Sequence, residues 1–120
     1  MTYSFTFKDH LAHPRNVGEL PNANASAEET NPMCGDRMRL SLMVQNGIIE
    51  EAKFLAYGCA PTLVCGSVLT EMVREKKTSD AVHLTKHDLL QAVGGLPSRK
   101  GHAAALAIET LHAALAEVKV

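Results

Sequence analysis

The chain is 120 residues long, the length of one domain, and can bury roughly two-thirds of its unfolded surface. Its apolar content of 46% with only 4% aromatics predicts a core of aliphatic side chains and alanine. A formal net charge of −1 excludes the electrostatic footprint of a nucleic-acid binder, no apolar run is long enough to span a membrane, and residues 1–10 lack the continuous apolar core of a signal peptide.

The expected address is therefore the cytosol, where thiols stay reduced. Three cysteines are an odd number, which favours metal or thiol chemistry over a disulfide framework.

In chain order, Phe5 to Leu11 predicts a short helix, ended by Pro14 because proline disfavours helical geometry at His13. Pro14 to Gly18 reads as a turn, and Leu20 to Thr30, without clear period, as a loop with room for one edge strand. Asn31-Pro32-Met33-Cys34-Gly35-Asp36 is too rich in Pro and Gly for a regular element, and it sets a soft sulfur ligand beside a hard oxygen ligand. Alternation then places Met38, Leu40, Leu42 and Val44 on one face of a strand. Asn46-Gly47, both tolerant of positive φ, predicts a hairpin into Ile48–Tyr57, with Ala52, Phe54 and Ala56 on one face and Lys53 opposite.

Gly58-Cys59-Ala60-Pro61 closes that strand and opens a helix, with Pro61 suited to the first helical position. Leu63, Val64, Val68, Leu69, Met72 and Val73 form its broad apolar face, and Arg74 to Lys77 end it. A short turn of helix is expected over Thr78–Val82. Thr85 with Asp88 resembles a capping box, before a helix stopped at Gly94-Gly95. Leu96 to Gly101 reads as linker, and the last helix as about His102 to Val118. A hairpin-centred sheet followed by several helices gives a single α+β domain over 1–120.

The chemical candidates each have a plain structural counterpart. Cys59 sits at a helix N-terminus, where exposed N–H groups and the helix dipole stabilise a thiolate; an inert half-buried thiol is about equally compatible. His102, near the start of the last helix, occupies a place that favours the neutral, metal-binding ring, although a surface histidine is the commoner reading. Asp36 is a ligand or a turn residue. Cys65, about a turn into its helix, is read first as packing and second as a spare thiol. His10, His13, His83, His87 and His112 carry no functional assignment. No phosphate-binding glycine loop, nucleophile elbow or HExxH pair is present.

In this order the residues resemble the iron–sulfur cluster assembly scaffold family, of the IscU and NifU N-terminal-domain type. The resemblance rests on His13-Pro14-Arg15-Asn16-Val17-Gly18, the Asn31–Asp36 loop, Tyr57-Gly58-Cys59, and Leu96-Pro97-Ser98-Arg99-Lys100-Gly101-His102. It implies a three-stranded antiparallel sheet packed on helices, with ligands meeting at one exposed end. It further implies a carrier rather than an enzyme: sulfur arrives from a cysteine desulfurase, a transient [2Fe–2S] cluster is assembled, and the cluster passes to apo iron–sulfur acceptor proteins. By position, Cys34, Asp36, Cys59 and His102 match family ligands for cluster, iron or zinc, with Asp36 the labilising one.

Two departures stand out. The family's cysteine after the histidine is Ala103 here, and of the segment read in some members by an Hsp70-type chaperone only the ends match, which leaves that partnership open. Four ligands with two thiols suit tetrahedral Zn²⁺ more readily than a durable cluster. Cys65 either restores a third sulfur or accepts sulfur locally. The alternatives are a zinc-dependent sulfur-transfer acceptor that stimulates a desulfurase, and a binding-only paralogue that docks desulfurase without a cluster.

Overall fold

The computed structural model describes residues 3–32 and 35–118. Among these, three strands form one antiparallel sheet in the order β1 (Ala25–Thr30), β2 (Arg37–Gln45) and β3 (Ile48–Tyr57). Five helices accompany it: α1 (Phe5–Ala12), α2 (Ala60–Val73), α3 (Thr78–Ala81), α4 (Lys86–Val93) and α5 (Gly101–Ala116). The fold is α+β, as expected.

Helix α2 packs on β3, α5 crosses β1 and β2, and the two helices touch each other over that face. Met38, Leu40, Leu42 and Val44 point from β2 into this layer and are buried. Alanines make the close approach of α5 affordable, since Ala103, Ala104, Ala107 and Ala114 are all fully buried. Phe54 fills the space over Gly66 of α2, where an added Cβ would lie 2.4 Å from the ring.

The Asn46-Gly47 turn has both residues at positive φ, 54° and 75°, as a two-residue hairpin requires. Pairing starts as Gln45 with Ile48 and Val44 with Ile49, but the next pair is Met43 with Glu51. Glu50 is thus an extra residue, a bulge that advances the register by one and changes which side chains of β3 face inward. Ile49 is buried before the bulge, and Ala52 and Phe54 after it.

β1 occupies the stretch expected to be loop with an edge strand. Its sequence, Ala-Ser-Ala-Glu-Glu-Thr, has little apolar alternation because only Ala25 is buried and the outer edge is unpaired within the sheet. Helix α1 runs one residue past the expected Leu11, and Pro61 is the second residue of α2 rather than the first. The linker before α5 contains a 3-10 turn over Ser98–Lys100, and α5 begins at Gly101. The Thr85–Asp88 capping box is present, and Gly94, at φ 91°, ends α4 with Gly95 N–H donating to Leu90 O. No helix among the described residues is long and apolar enough to cross a membrane.

Candidate metal centre

The loop between β1 and β2 is Asn31–Asp36. Its ends are drawn together because Asn31 N–H donates to Asp36 O at 2.7 Å and Gly35 N–H to Asn31 O at 2.7 Å. Cys34, with Met33, lies outside the described residues, and so does the thiolate expected from this loop. Asp36 immediately precedes β2, whose first residue Arg37 pairs with Tyr57, the last of β3. That register sets Asp36 beside Gly58 and Cys59. Gly58, at φ 143°, leaves the carboxylate its room: a Cβ there would fall 2.1 Å from Asp36 Oδ1.

Cys59 is the N-cap of α2, and its backbone N–H donates to Asp36 Oδ1 at 3.4 Å. The other oxygen, Oδ2, is shared. Thr62 Oγ1 donates to it at 3.0 Å, Cys59 Sγ lies 3.5 Å away, and His102 Nε2, from the second residue of α5, lies 3.1 Å away. The ligand atoms of Asp36, Cys59 and His102 all lie within 4.8 Å of one another.

Asp36 is only 4% exposed. Burial by itself resists its ionisation, but hydrogen bonds from Thr62, Cys59 and His102 outweigh it and hold the carboxyl below its ordinary value. An ionised carboxylate has no proton to give, so the hydrogen in the His102 contact sits on Nε2. To serve as a metal donor through Nε2 the ring must carry its proton on Nδ1 instead. The donor set offers one sulfur, one oxygen and one nitrogen from three separate elements. Those types and that spacing fit three of the four positions of a tetrahedral ion such as Zn²⁺, or of iron with sulfur ligands.

Three of the residues singled out from the sequence, Asp36, Cys59 and His102, therefore converge. Cys65 takes the packing position: it is fully buried in the core, and burial foremost, with the nearby Cys59 adding to it, pushes its thiol up to about 12. Ala103 is also fully buried and offers no donor atom. Thr62 has no place in the sequence reading, and Gly58 appears there only as the residue that closes the strand before Cys59. A hydroxyl three residues after an N-cap thiol lies on the same side of the helix start, which was the available signal for Thr62.

A small α+β domain whose Cys, Asp and His side chains gather where two strand ends and two helix N-termini meet offers the donor set found in metal-binding proteins. The family described as "NifU-like N terminal domain" matches residues 2–120, and the chain belongs to it. It is 40% identical over 119 residues, 96% of this chain and 76% of the relative, to the iron–sulfur cluster assembly scaffold protein IscU of Aquifex aeolicus. It is 37% identical over 123 residues, 99% of this chain and 95% of the relative, to the protein of the same name from Escherichia coli K12. These relatives are named as scaffold proteins, not enzymes. The fold is also that of a crystal structure titled as a putative iron–sulfur cluster assembly scaffold protein for the SUF system from Fervidobacterium islandicum, with a TM-score of 0.77 at 21% identity over 94% of this chain and 96% of that one.

Proposed function

We propose that this chain assembles iron–sulfur clusters as cargo, holding iron and sulfur through Cys34, Asp36, Cys59 and His102, and passes them to apo acceptor proteins. The observation that carries the reading is the meeting of Asp36, Cys59 and His102 within 4.8 Å in a member of this family. Cys59 supplies a thiolate and accepts sulfur from a cysteine desulfurase. Asp36, saturated with hydrogen bonds before any metal arrives, is the weak ligand from which a [2Fe–2S] cluster is released. Cys59 and Cys65 are both free thiols, in keeping with a reducing cytoplasm.

Anaerobic incubation with ferrous iron, cysteine and a cysteine desulfurase tests it. The expected result is a visible sulfur-to-iron charge-transfer spectrum that is lost in Cys34→Ser and Cys59→Ser and that moves to an added apo-ferredoxin. A colourless protein under these conditions would overturn it.

A second reading is favoured by the donor set itself, because one sulfur, one oxygen and one nitrogen match a structural or transfer-type zinc site. In that case the purified protein holds stoichiometric zinc, accelerates desulfurase turnover, and carries a persulfide without forming a cluster. Binding to the desulfurase with neither metal nor persulfide would leave only a docking module.

A further inference from the structure

We infer that Thr62 is the positioning residue of the site: its buried hydroxyl fixes the Asp36 carboxylate in the orientation that faces Cys59 and His102. The inference rests on the reading of this pocket as a metal site, and names the residue that organises it.

Thr62 is fully buried, in the first turn of α2. A buried hydroxyl must spend its proton somewhere, and inside a helix the usual acceptor is a carbonyl of the preceding turn. Two other buried threonines of this chain do that: Thr70 Oγ1 donates to Ser67 O at 2.8 Å and Thr110 Oγ1 to Leu106 O at 2.7 Å. Thr62 instead sends its proton across to Asp36 Oδ2 at 3.0 Å, 26 residues away in sequence. The same oxygen faces Cys59 Sγ and His102 Nε2.

Of the three groups gathered on Oδ2, two are metal donors that give up their hydrogens when they ligate. Thr62 is the one whose proton need not leave. Its Oγ1 also lies 3.4 Å from Cys59 Sγ, so one hydroxyl sits against both the carboxylate and the thiol. Groups that hydrogen-bond a ligating carboxylate raise metal affinity by fixing its direction, and their loss lowers affinity on the order of tenfold or more.

The test compares wild type, Thr62→Val, which keeps the shape and removes the hydroxyl, and Thr62→Ser, which keeps the hydroxyl. Cobalt(II) titration reads affinity and the d–d and thiolate charge-transfer bands. In the metal-free protein, the ring ¹⁵N shifts of His102 report whether the carboxylate still faces Nε2. Thr62→Val should weaken cobalt binding on the order of tenfold, alter the d–d bands while keeping the thiolate band, and move the His102 shifts; Thr62→Ser should restore all three. In an Asp36→Ala background Thr62→Val should change nothing further, because it acts through that carboxylate.

Unchanged His102 shifts and wild-type affinity in Thr62→Val would overturn the inference, as would an equal loss of affinity in the Asp36→Ala background. If wild type bound no cobalt, the metal reading would fail. The His102 shifts would still decide the role of Thr62.

Discussion

Gly58 and Asp36 share a space that admits only one of their side chains. Substituting Gly58→Ala forces a Cβ to within 2.1 Å of Asp36 Oδ1 and holds an L-residue at φ 143°. The backbone strain alone is worth about 1–3 kcal/mol, and the carboxylate must also turn away from Cys59. Urea denaturation should show that loss of stability. Metal titration should show weaker binding than any global loss explains, and an unchanged affinity would argue that Asp36 is not a ligand.

The two described thiols differ as sharply. Cys59 is partly exposed at a helix N-terminus, whereas Cys65 is fully buried and its thiol is pushed up to about 12. Iodoacetamide should label Cys59 in the folded, metal-free protein and Cys65 only after denaturant is added. Protection of Cys59 on adding zinc would support ligation, and rapid labelling of Cys65 in the native state would return it to the candidates for sulfur acceptance.

At the scale of elements, α1 is held to α2 and α4 by polar contacts as much as by Phe7. Ser4 caps α1 and donates from Oγ to Val93 O at the end of α4. His10, 6% exposed, lies with Nδ1 2.7 Å from Ser67 Oγ on α2, and Arg15 N–H donates to that same hydroxyl at 2.9 Å. Glu71 Oε1, 3.3 Å from Nε2, can only accept, which assigns the neutral ring its hydrogen on Nε2 and leaves Nδ1 to accept from Ser67 Oγ.

Burial, reinforced by the Arg15 charge, lowers the His10 pKa below 6.5 in spite of Glu71 and Asp9. The unfolded chain takes up its proton near the ordinary value and the folded chain only at lower pH. Between the two the unfolded state binds more protons, and stability falls as pH falls. The urea midpoint should therefore drop on going from pH 7 toward pH 5. His10→Gln should be less stable at pH 7 but show a flatter slope over that range. An identical slope in the variant would locate the proton elsewhere.

For the molecule as a whole, the site ties the start of β2, the start of α2 and the start of α5 together at one end of the sheet. A ligand bound there would crosslink three elements that are far apart in sequence. Zinc at about a hundred times its dissociation constant should add about 2.7 kcal/mol to folding, which for a domain of this size raises the melting temperature by roughly 10 °C. The rise should vanish with chelator and in Cys59→Ser. A metal-independent melting temperature would mean that the three side chains come together only as a hydrogen-bond cluster.

The elements whose signals are local were legible in the chain. Asn46-Gly47 dictates a turn that needs two positive φ angles, Thr85 and Asp88 cap a helix reciprocally, and the Met38–Val44 alternation buries one side of a strand. Strand β1 was indistinct because a polar edge strand buries almost nothing that composition would mark, and the start of α5 was off by one residue because Lys100 offers no side-chain cap to announce it. The types of the donor atoms were also in the sequence: a thiol beside a strand end, a carboxylate in a Pro/Gly loop, an imidazole at a helix start. Their meeting is implied by the family resemblance and by no local signal. It depends on the single extra residue at Glu50, which advances the β2–β3 pairing so that Asp36 comes opposite Gly58 rather than Tyr57, and on α5 crossing β1 and β2 so that His102 reaches the same oxygen. Register and helix placement are settled by burial of Phe54, Met38 and the α5 alanines, a non-local balance that no short stretch of chain encodes.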